Sequence, residues 1–412
     1  MLKAERLGLD VVHFQKPAEF SPIQHARAGT TVVLDYEDVD KAVDLARALH
    51  AARPFAGAMA ITESALLPAA RINEALQLPG VTPATVGLLT DKWSMRRLLN
   101  ARGVSVVGAE MGTTRADLTA FAETHGFPFI VKPLAGTASF GVFLVHDAAE
   151  LDPVHDRLNG LGLPAFLMEQ YLDGREISVE CFTFHGRHVL LAMTDKLVGR
   201  GFVEMGHSIP AAVSAADQAA VVAVVNQFLD AVGLTEGPSH TEVKLTADGP
   251  KVVEGHNRRG GDRINQMVEL VYGQDIEHLT AGWCAGVIDE LPASPEADGA
   301  TAVRFFEAPP GIVREIVGAD EIRRLPDVRE FHLNYAVGDR VPPLRWSLDR
   351  AGYLVVHRAT ADEAVRAATE YAARINFVVD QVAEDRDRAN AEFAALREEL
   401  DLSDRFGYDV AS

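Results

Sequence analysis

Apolar positions in the first 87 residues alternate between two spacings. Leu2 to Leu9 repeats every three or four residues and predicts a helix, and Asp10 to Gln15 alternates as a strand does. Thr31 to Leu34 predicts a second strand, Val39 to Ala52 a helix, and Ala56 to Ile61 a buried strand. Helix and strand in turn predict a layered α/β unit. Such a unit normally opens on a strand and a glycine turn. This sequence opens inside its first helix, so the expectation is either a first strand that is absent or a given sequence that starts late, and no Gly-x-Gly-x-x-Gly follows to suggest dinucleotide binding.

Thr90 is placed to cap a helix reaching Ala101, with Asp91 near its positive end and Gly103 as its stop. Lys92 and Arg96 share one face of it, ordinarily a solvated basic face. Ala116 to His125 predicts another helix. The run Phe129-Ile-Val-Lys-Pro-Leu-Ala-Gly-Thr-Ala-Ser-Phe-Gly-Val142 then reads as strand, small-residue loop and the start of a second strand ending at Val145. Glycine-rich backbone can turn its N–H groups toward phosphate oxygens, and Lys132 adds a fixed positive charge beside them. No Gly-Lys-Ser/Thr follows, so this is not a Walker loop. Taken alone, such a hairpin is more often an ordinary turn.

Leu167 to Leu172 predicts a strand, Asp173-Gly174 a turn, and Ile177 the start of a hairpin through His185-Gly186-Arg187 to Val189–Met193. Ser214 is placed to cap a long helix to Val232. Thr241 to Leu245 and Lys251 to Glu254 predict a second hairpin, with one carboxylate on each strand, Glu242 and Glu254. Cross-strand carboxylates repel, and either a divalent cation or raised pKa values relieve them. Glu254-Gly-His-Asn-Arg-Arg-Gly-Gly-Asp262 follows directly, a polar cluster hard to explain as packing. Residues 300–379 read as strand-rich with a helix at Ala361 to Ile375, and Ala383 to Glu399 as a charged helix. Trp93, Trp283 and Trp346 fit core anchors better than cofactor platforms.

The chain has 412 residues, enough for two or three packed subdomains. Its net charge of −20 argues against nucleic-acid binding. It has no apolar run of membrane-spanning length and no opening signal peptide. Two cysteines, Cys181 and Cys284, make neither a disulfide framework nor a metal quartet, which points to a reducing cytoplasm.

The ordered set of Lys92, Lys132 with its loop, Glu169 to Glu176, Glu242, and Glu254 to Gly261 resembles the ATP-grasp superfamily. Within it the likeness is to carboxylate–amine ligases, above all the L-amino-acid (dipeptide) ligases, with a biotin-carboxylase-like arrangement of domains. It runs from about Ala56 to Gly261 and more loosely to Val379. The resemblance implies an α/β and α+β ATP-grasp fold with an N-terminal Rossmann-like α/β domain at residues 1–88. It implies a nucleotide-binding and catalytic core at 89–299, with a glycine-loop subdomain at about 105–172. A C-terminal lobe and charged tail would occupy 300–412.

It also implies roles. Lys92 and Lys132 would meet the nucleotide, Lys132 at the α- and β-phosphates, beneath a loop holding Gly136, Thr137, Ser139, Phe140 and Gly141. Glu169 would accept the adenine amino group, and Gln170, Tyr171 and Leu172 would line the ring edge. Glu176 would bind the ribose. Glu242 and Glu254 would hold Mg²⁺, with Mn²⁺ as an alternative. The family often has Glu-x-Asn. Here His256 stands at that place and Asn257 follows, so Asn257 is the candidate third ligand. Arg258 would serve the transferred phosphoryl, and Gly260 with Gly261 a turn at the amino-acid site. Glu204 and His207 lie in a run resembling the ligases' substrate loop, which makes them candidate catalytic residues for acceptor or metal-side contacts, with a plain surface loop as an equal alternative.

These implications fit the chemistry of activating a carboxylate, which needs cations around crowded anions and shelter from water. The expected activity is ATP-dependent joining of an amino-acid carboxylate to an amine through an acyl phosphate, giving ADP and phosphate. The alternatives are a carboxylase that phosphorylates bicarbonate and a non-catalytic nucleotide-binding scaffold. Lys132, Glu242, Glu254 and Arg258 together speak against the scaffold. The expected partners are small-molecule substrates, without nucleic acid or membrane, and a homodimer is the expected assembly.

Overall fold

A computed structural model describes residues 2–134, 140–291 and 294–381. The N-terminal part pairs Val12–Gln15 with Thr30–Val33 in parallel, as its alternation predicts. The helix Val39–Ala52 starts at Asp38, whose carboxylate accepts from Lys41 N. It buries Ala42 and Ala46 against Leu34, Tyr36 and Ile72.

Two expectations fail here. Ala56–Ile61 is not a strand: it is irregular, and Ala56, Met59 and Ile61 are exposed. Its backbone partner is a side chain, for the Asn73 amide accepts from Ala58 N at 2.7 Å and donates to Ala58 O at 2.8 Å. Thr90 is not an N-cap but the last residue of the helix Pro83–Thr90, which Thr82 and Pro83 open. Its hydroxyl donates back to Val86 O. Asp91 caps the next helix, Lys92–Arg102, accepting from Trp93 N at 2.9 Å and Ser94 N at 3.1 Å. Gly103 ends that helix with φ +69°.

A four-stranded antiparallel sheet follows, in the order Ala109–Gly112, Phe166–Gln170, Phe129–Pro133, Phe143–Val145. Two helices, Arg115–His125 and Leu151–Gly160, bury Leu118, Phe121, Val154 and Leu158 against Phe129, Val131, Phe166 and Met168. A capping box between Thr114 and Asp117 starts the first. Gly136, Thr137 and Ser139 lie outside the described residues.

The second sheet has eight strands, in the order Gly249–His256, Gly237–Thr246, Arg175–Phe184, Arg187–Val198, Glu204–Ile209, Ala300–Phe306, Gly352–Arg358, Val328–Leu333. The hairpin at His185-Gly186 has φ +53° and +79°, the primed turn that matches strand twist. The helix Ala215–Ala231, capped by Ser214, covers one face with Val221, Val225, Phe228 and Leu229. The helices Ile264–Tyr272 and Ile276–Cys284 pack on Phe182, Leu191 and Val303.

Part of the described region from 300 to 381 is joined to the eight-stranded sheet. Ala300–Phe306 pairs with Glu204–Ile209, Arg304 opposite Gly206, so three C-terminal strands extend this sheet. The helix Ala361–Ala373 and a three-stranded sheet of Arg340–Val341, Gly311–Val317 and Asn376–Asp380 complete that part. The charged tail 383–399 lies outside the described residues. No described helix is long and apolar enough to cross a membrane.

Candidate active site

A cavity of about 620 Å³ opens between the two sheets. The four-stranded sheet supplies Lys132, Glu169 and Gln170, with Tyr171 and Leu172 just beyond. The eight-stranded sheet supplies Glu176, Lys196, Glu204, His207, Glu242, Glu254 and His256. The N-terminal part adds Thr62 and Glu63, and the C-terminal part adds Ser347, Leu348 and Arg350. Phe140 lines the cavity, and Gly141 turns the chain behind it with φ +68°.

On the four-stranded sheet, Lys132 Nζ lies 2.6 Å from Glu169 Oε2, and Arg96 Nε 2.6 Å from Glu169 Oε1. Burial alone would raise the Glu169 pKa. Lys132 and Arg96 outweigh it and hold the carboxyl down at about 2. The face shared by Lys92 and Arg96 is therefore not solvated. Arg96 is fully buried and also donates to Val252 O at 2.7 Å, tying one sheet to the other. Lys92 Nζ reaches Glu254 Oε2 at 3.0 Å. Gln170 Oε1 accepts from Gly108 N at 2.8 Å.

Glu242 and Glu254 stand directly opposite each other, as the hairpin predicts. The repulsion is not relieved by protonation. Burial favours the neutral form of Glu242, yet Lys196 at 2.6 Å holds its pKa at about 2. Burial likewise opposes ionisation of Glu254, and Lys92 with His256 keeps it well below the carboxylate range. Lys196, only 3% exposed, also meets Glu176 at 2.6 Å and Glu204 at 3.4 Å. Nothing in the sequence marks this lysine. His240, on the same strand as Glu242, bonds Glu180 at 2.6 Å. Burial lowers its pKa, and Glu180 more than reverses that, to about 9.

Asn257 does not join the acidic pair. Alternation along the chain brings Glu254, His256 and Arg258 to the cavity and turns Asn257 away. Asn257 lines a separate small pocket with Pro238 and Trp283, and its Oδ1 is buried with no hydrogen bond. His256 Nε2 meets Glu254 Oε1 at 3.1 Å, and Nδ1 meets Glu63 Oε2 at 3.2 Å. Arg258 Nε meets the same Glu63 oxygen at 2.6 Å. Glu63 is the first residue of the helix Glu63–Leu76, and no motif marks it in the sequence. Against its burial, His256 and Arg258 hold its pKa at about 2.

Glu204 and His207 do not lie on a surface loop: they are on the strand Glu204–Ile209, and His207 is 2% exposed. His207 Nε2 is 3.3 Å from Asp262 Oδ2, and Glu204 Oε2 accepts from Ser347 Oγ at 2.7 Å. Arg350 grips both Asp262 oxygens at 2.7 and 2.6 Å. Gly260 N donates to Glu180 at 3.2 Å, and a Cβ there would lie 2.9 Å from His240 Nδ1, which explains the glycine. Gly261 lines the cavity beside it. Of the tryptophans, Trp346 is buried and meets the Phe140 ring edge-on, Trp283 donates to Glu236, and Trp93 is half-buried.

Two hard carboxylates held ionised beside a ring of lysines and arginine make a seat for a nucleotide polyphosphate and a divalent cation. Residues 125–266 match the ATP-grasp domain and residues 1–80 the ATP-grasp N-terminal domain. The chain belongs to the ATP-grasp superfamily and is an ATP-dependent ligase forming carbon–nitrogen bonds. Residues 304–380 match the L-amino acid ligase C-terminal domain 2, so within the superfamily it is built on the L-amino acid ligase plan.

A solved L-amino acid ligase from Bacillus licheniformis superposes with a TM-score of 0.81 at 25% identity, covering 92% of this chain and 95% of that one. The alanine–anticapsin ligase of Bacillus subtilis (strain 168) is 28% identical over 264 residues, 57% of this chain and 56% of its own length. An uncharacterized protein of Sinorhizobium fredii is 28% identical over 372 residues, 84% of this chain and 73% of its own.

Proposed function

We propose that the protein joins an amino-acid carboxylate to an amine, often that of a second amino acid, by way of an acyl phosphate, releasing ADP and phosphate. One observation carries this: Glu242 faces Glu254, both ionised, with Arg258 two residues past the strand that carries Glu254. Anion-binding and cation-binding groups thus stand side by side in the cavity, which supports the reading. Lys132 and Lys92 meet the nucleotide, and the Tyr171–Leu172 segment lines the base. Glu242 and Glu254 are the residues that would hold Mg²⁺, and a cation bound there would supply charge stabilisation to a polyphosphate.

Arg258, aimed by Glu63, can meet the γ-phosphoryl group and the incoming carboxylate. The carboxylate is ionised at neutral pH and needs no general base to attack. Glu204 and His207 face the amine substrate. The L-amino acid ligase domain match supports amino acids as substrates. Hydroxylamine tests the reading: with ATP, Mg²⁺ and the carboxylate substrate alone it should yield a hydroxamate. No hydroxamate from any amino acid, in a preparation that binds ATP, would refute the acyl phosphate.

A further inference from the structure

Glu180 has no part in the chemistry derived above. It sits on the strand Arg175–Phe184, and among the described residues no other carboxylate is completely buried. It does not line the cavity, whereas its partner His240 does. A buried carboxylate is costly unless donors surround it. Three do, and they come from three places. Ser178 Oγ, on the same strand, donates to Oε1 at 3.1 Å. His240 Nδ1, directly opposite on the neighbouring strand, meets Oε1 at 2.6 Å. A carboxylate oxygen only accepts, so the ring proton lies on Nδ1. Gly260 N donates to Oε2 at 3.2 Å from the turn that follows the strand Gly249–His256.

That turn needs a hold. Asp262 and Arg263 both have left-handed backbone, with φ +49° and +69°, which residues other than glycine rarely adopt. Arg350 grips the turn at Asp262, and Glu180 grips it at Gly260. The fit at Gly260 is close: a Cβ would stand 2.9 Å from His240 Nδ1 and 3.2 Å from Glu180 Oε2. From this turn Arg258, Arg259 and Gly261 reach the cavity. The far nitrogen of the same imidazole, Nε2, faces Glu242 Oε1 at 3.6 Å. One enclosed carboxylate therefore sets both the ring beside Glu242 and the backbone beside Arg258.

We propose that Glu180 is a positioning residue for phosphoryl transfer. It fixes the Gly260 turn and the His240 ring, and through them holds Arg258 and Glu242 in register for the γ-phosphoryl group, while touching neither nucleotide nor substrate. This rests on the ligase reading.

The first readout is binding. Calorimetry with Mg²⁺ compares ADP with a non-hydrolysable ATP analogue, so that the difference isolates the γ-phosphoryl group. Wild type should favour the analogue. Glu180→Gln keeps the size of the side chain but accepts on one side only. It should bind ADP as wild type does and lose most of that preference. The second readout is ADP release with pairs of amino acids. There kcat should fall at least about tenfold, since a misplacement of ~1 Å costs up to about a hundredfold. Gly260→Ala keeps the carboxylate and its histidine and pushes the turn off them. It should reproduce both effects, whether or not Glu180→Gln folds. Ser178→Ala removes the one donor that leads to neither the turn nor Glu242, and should keep wild-type binding and rate. A role in stability alone would lower the melting temperature of Glu180→Gln and leave preference and kcat at wild-type values. That outcome, or equal damage by Ser178→Ala, overturns the proposal. A wild type that binds analogue and ADP equally overturns it too. If wild type releases no ADP with any pair, the ligase reading fails, and the binding comparison still decides the positioning role.

Discussion

Lys196 shows how much of the site rests on one side chain. It is almost completely buried and contacts three carboxylates, Glu176, Glu204 and Glu242. Removing one partner of a buried ion pair costs about 3–5 kcal/mol, because the charges left behind stay desolvated. Lys196→Met should therefore lose several kcal/mol in denaturant unfolding, about 3 at least. Mg²⁺ should restore part of the loss, since a cation can take over the charge. A variant as stable as wild type, or one that Mg²⁺ leaves untouched, would contradict this. Glu169 gives a pH test. Its folded pKa of about 2 lies below the usual value of 4.5. Its ionisation therefore stabilises the fold fully above about pH 4.5, and that contribution disappears as pH falls toward 2. Glu169→Gln should flatten the melting temperature against pH across that window, and an unchanged acid limb would refute the pairing. Neither Lys196 nor Glu63 was legible in the sequence, since a lysine in a strand and a glutamate opening a helix look ordinary. Their roles come from neighbours 46 and 195 residues away. Lys132 was legible because it ends a strand ahead of a glycine-rich run, and Glu242 and Glu254 because each stands on one arm of a hairpin.

Among elements, the helix Lys92–Arg102 carries two cations into the site and depends on its cap. Asp91→Ala should cost about 1 kcal/mol of stability. It should also weaken ATP binding, because Lys92 follows the cap directly and Arg96 braces Glu169. Calorimetry showing unchanged affinity would separate the cap from the site. The hairpin of Glu242 and Glu254 gives a sharper case. Glu254→Gln should abolish ADP release while the protein stays folded by circular dichroism, and retained turnover at limiting Mg²⁺ would remove Glu254 from the proposed metal site. Helices were readable where a polar cap met an apolar period, as at Asp38, Thr114 and Ser214. The run Ala56–Ile61 misled because an apolar run does not reveal whether a ladder partner exists. The choice of His256 over Asn257 was readable in principle, since a residue two places after Glu254 shares its face and one three places after does not.

At the scale of the molecule, the cavity lies where two sheets meet, and parts distant in the chain enter it. The pairing of Glu204–Ile209 with Ala300–Phe306 joins segments about ninety residues apart, and no local pattern announces such a contact. That is why the C-terminal part reads as a separate lobe from sequence and yet supplies Ser347, Leu348 and Arg350 to the site. The central claim is that this assembly breaks ATP between the β- and γ-phosphates to activate a carboxylate. Phosphorus NMR of the complete reaction, following nucleotide and phosphate against ligated product, tests it most directly. ADP and inorganic phosphate rising together, one of each per bond formed, is the expected result. AMP and pyrophosphate rising in step with product would contradict it.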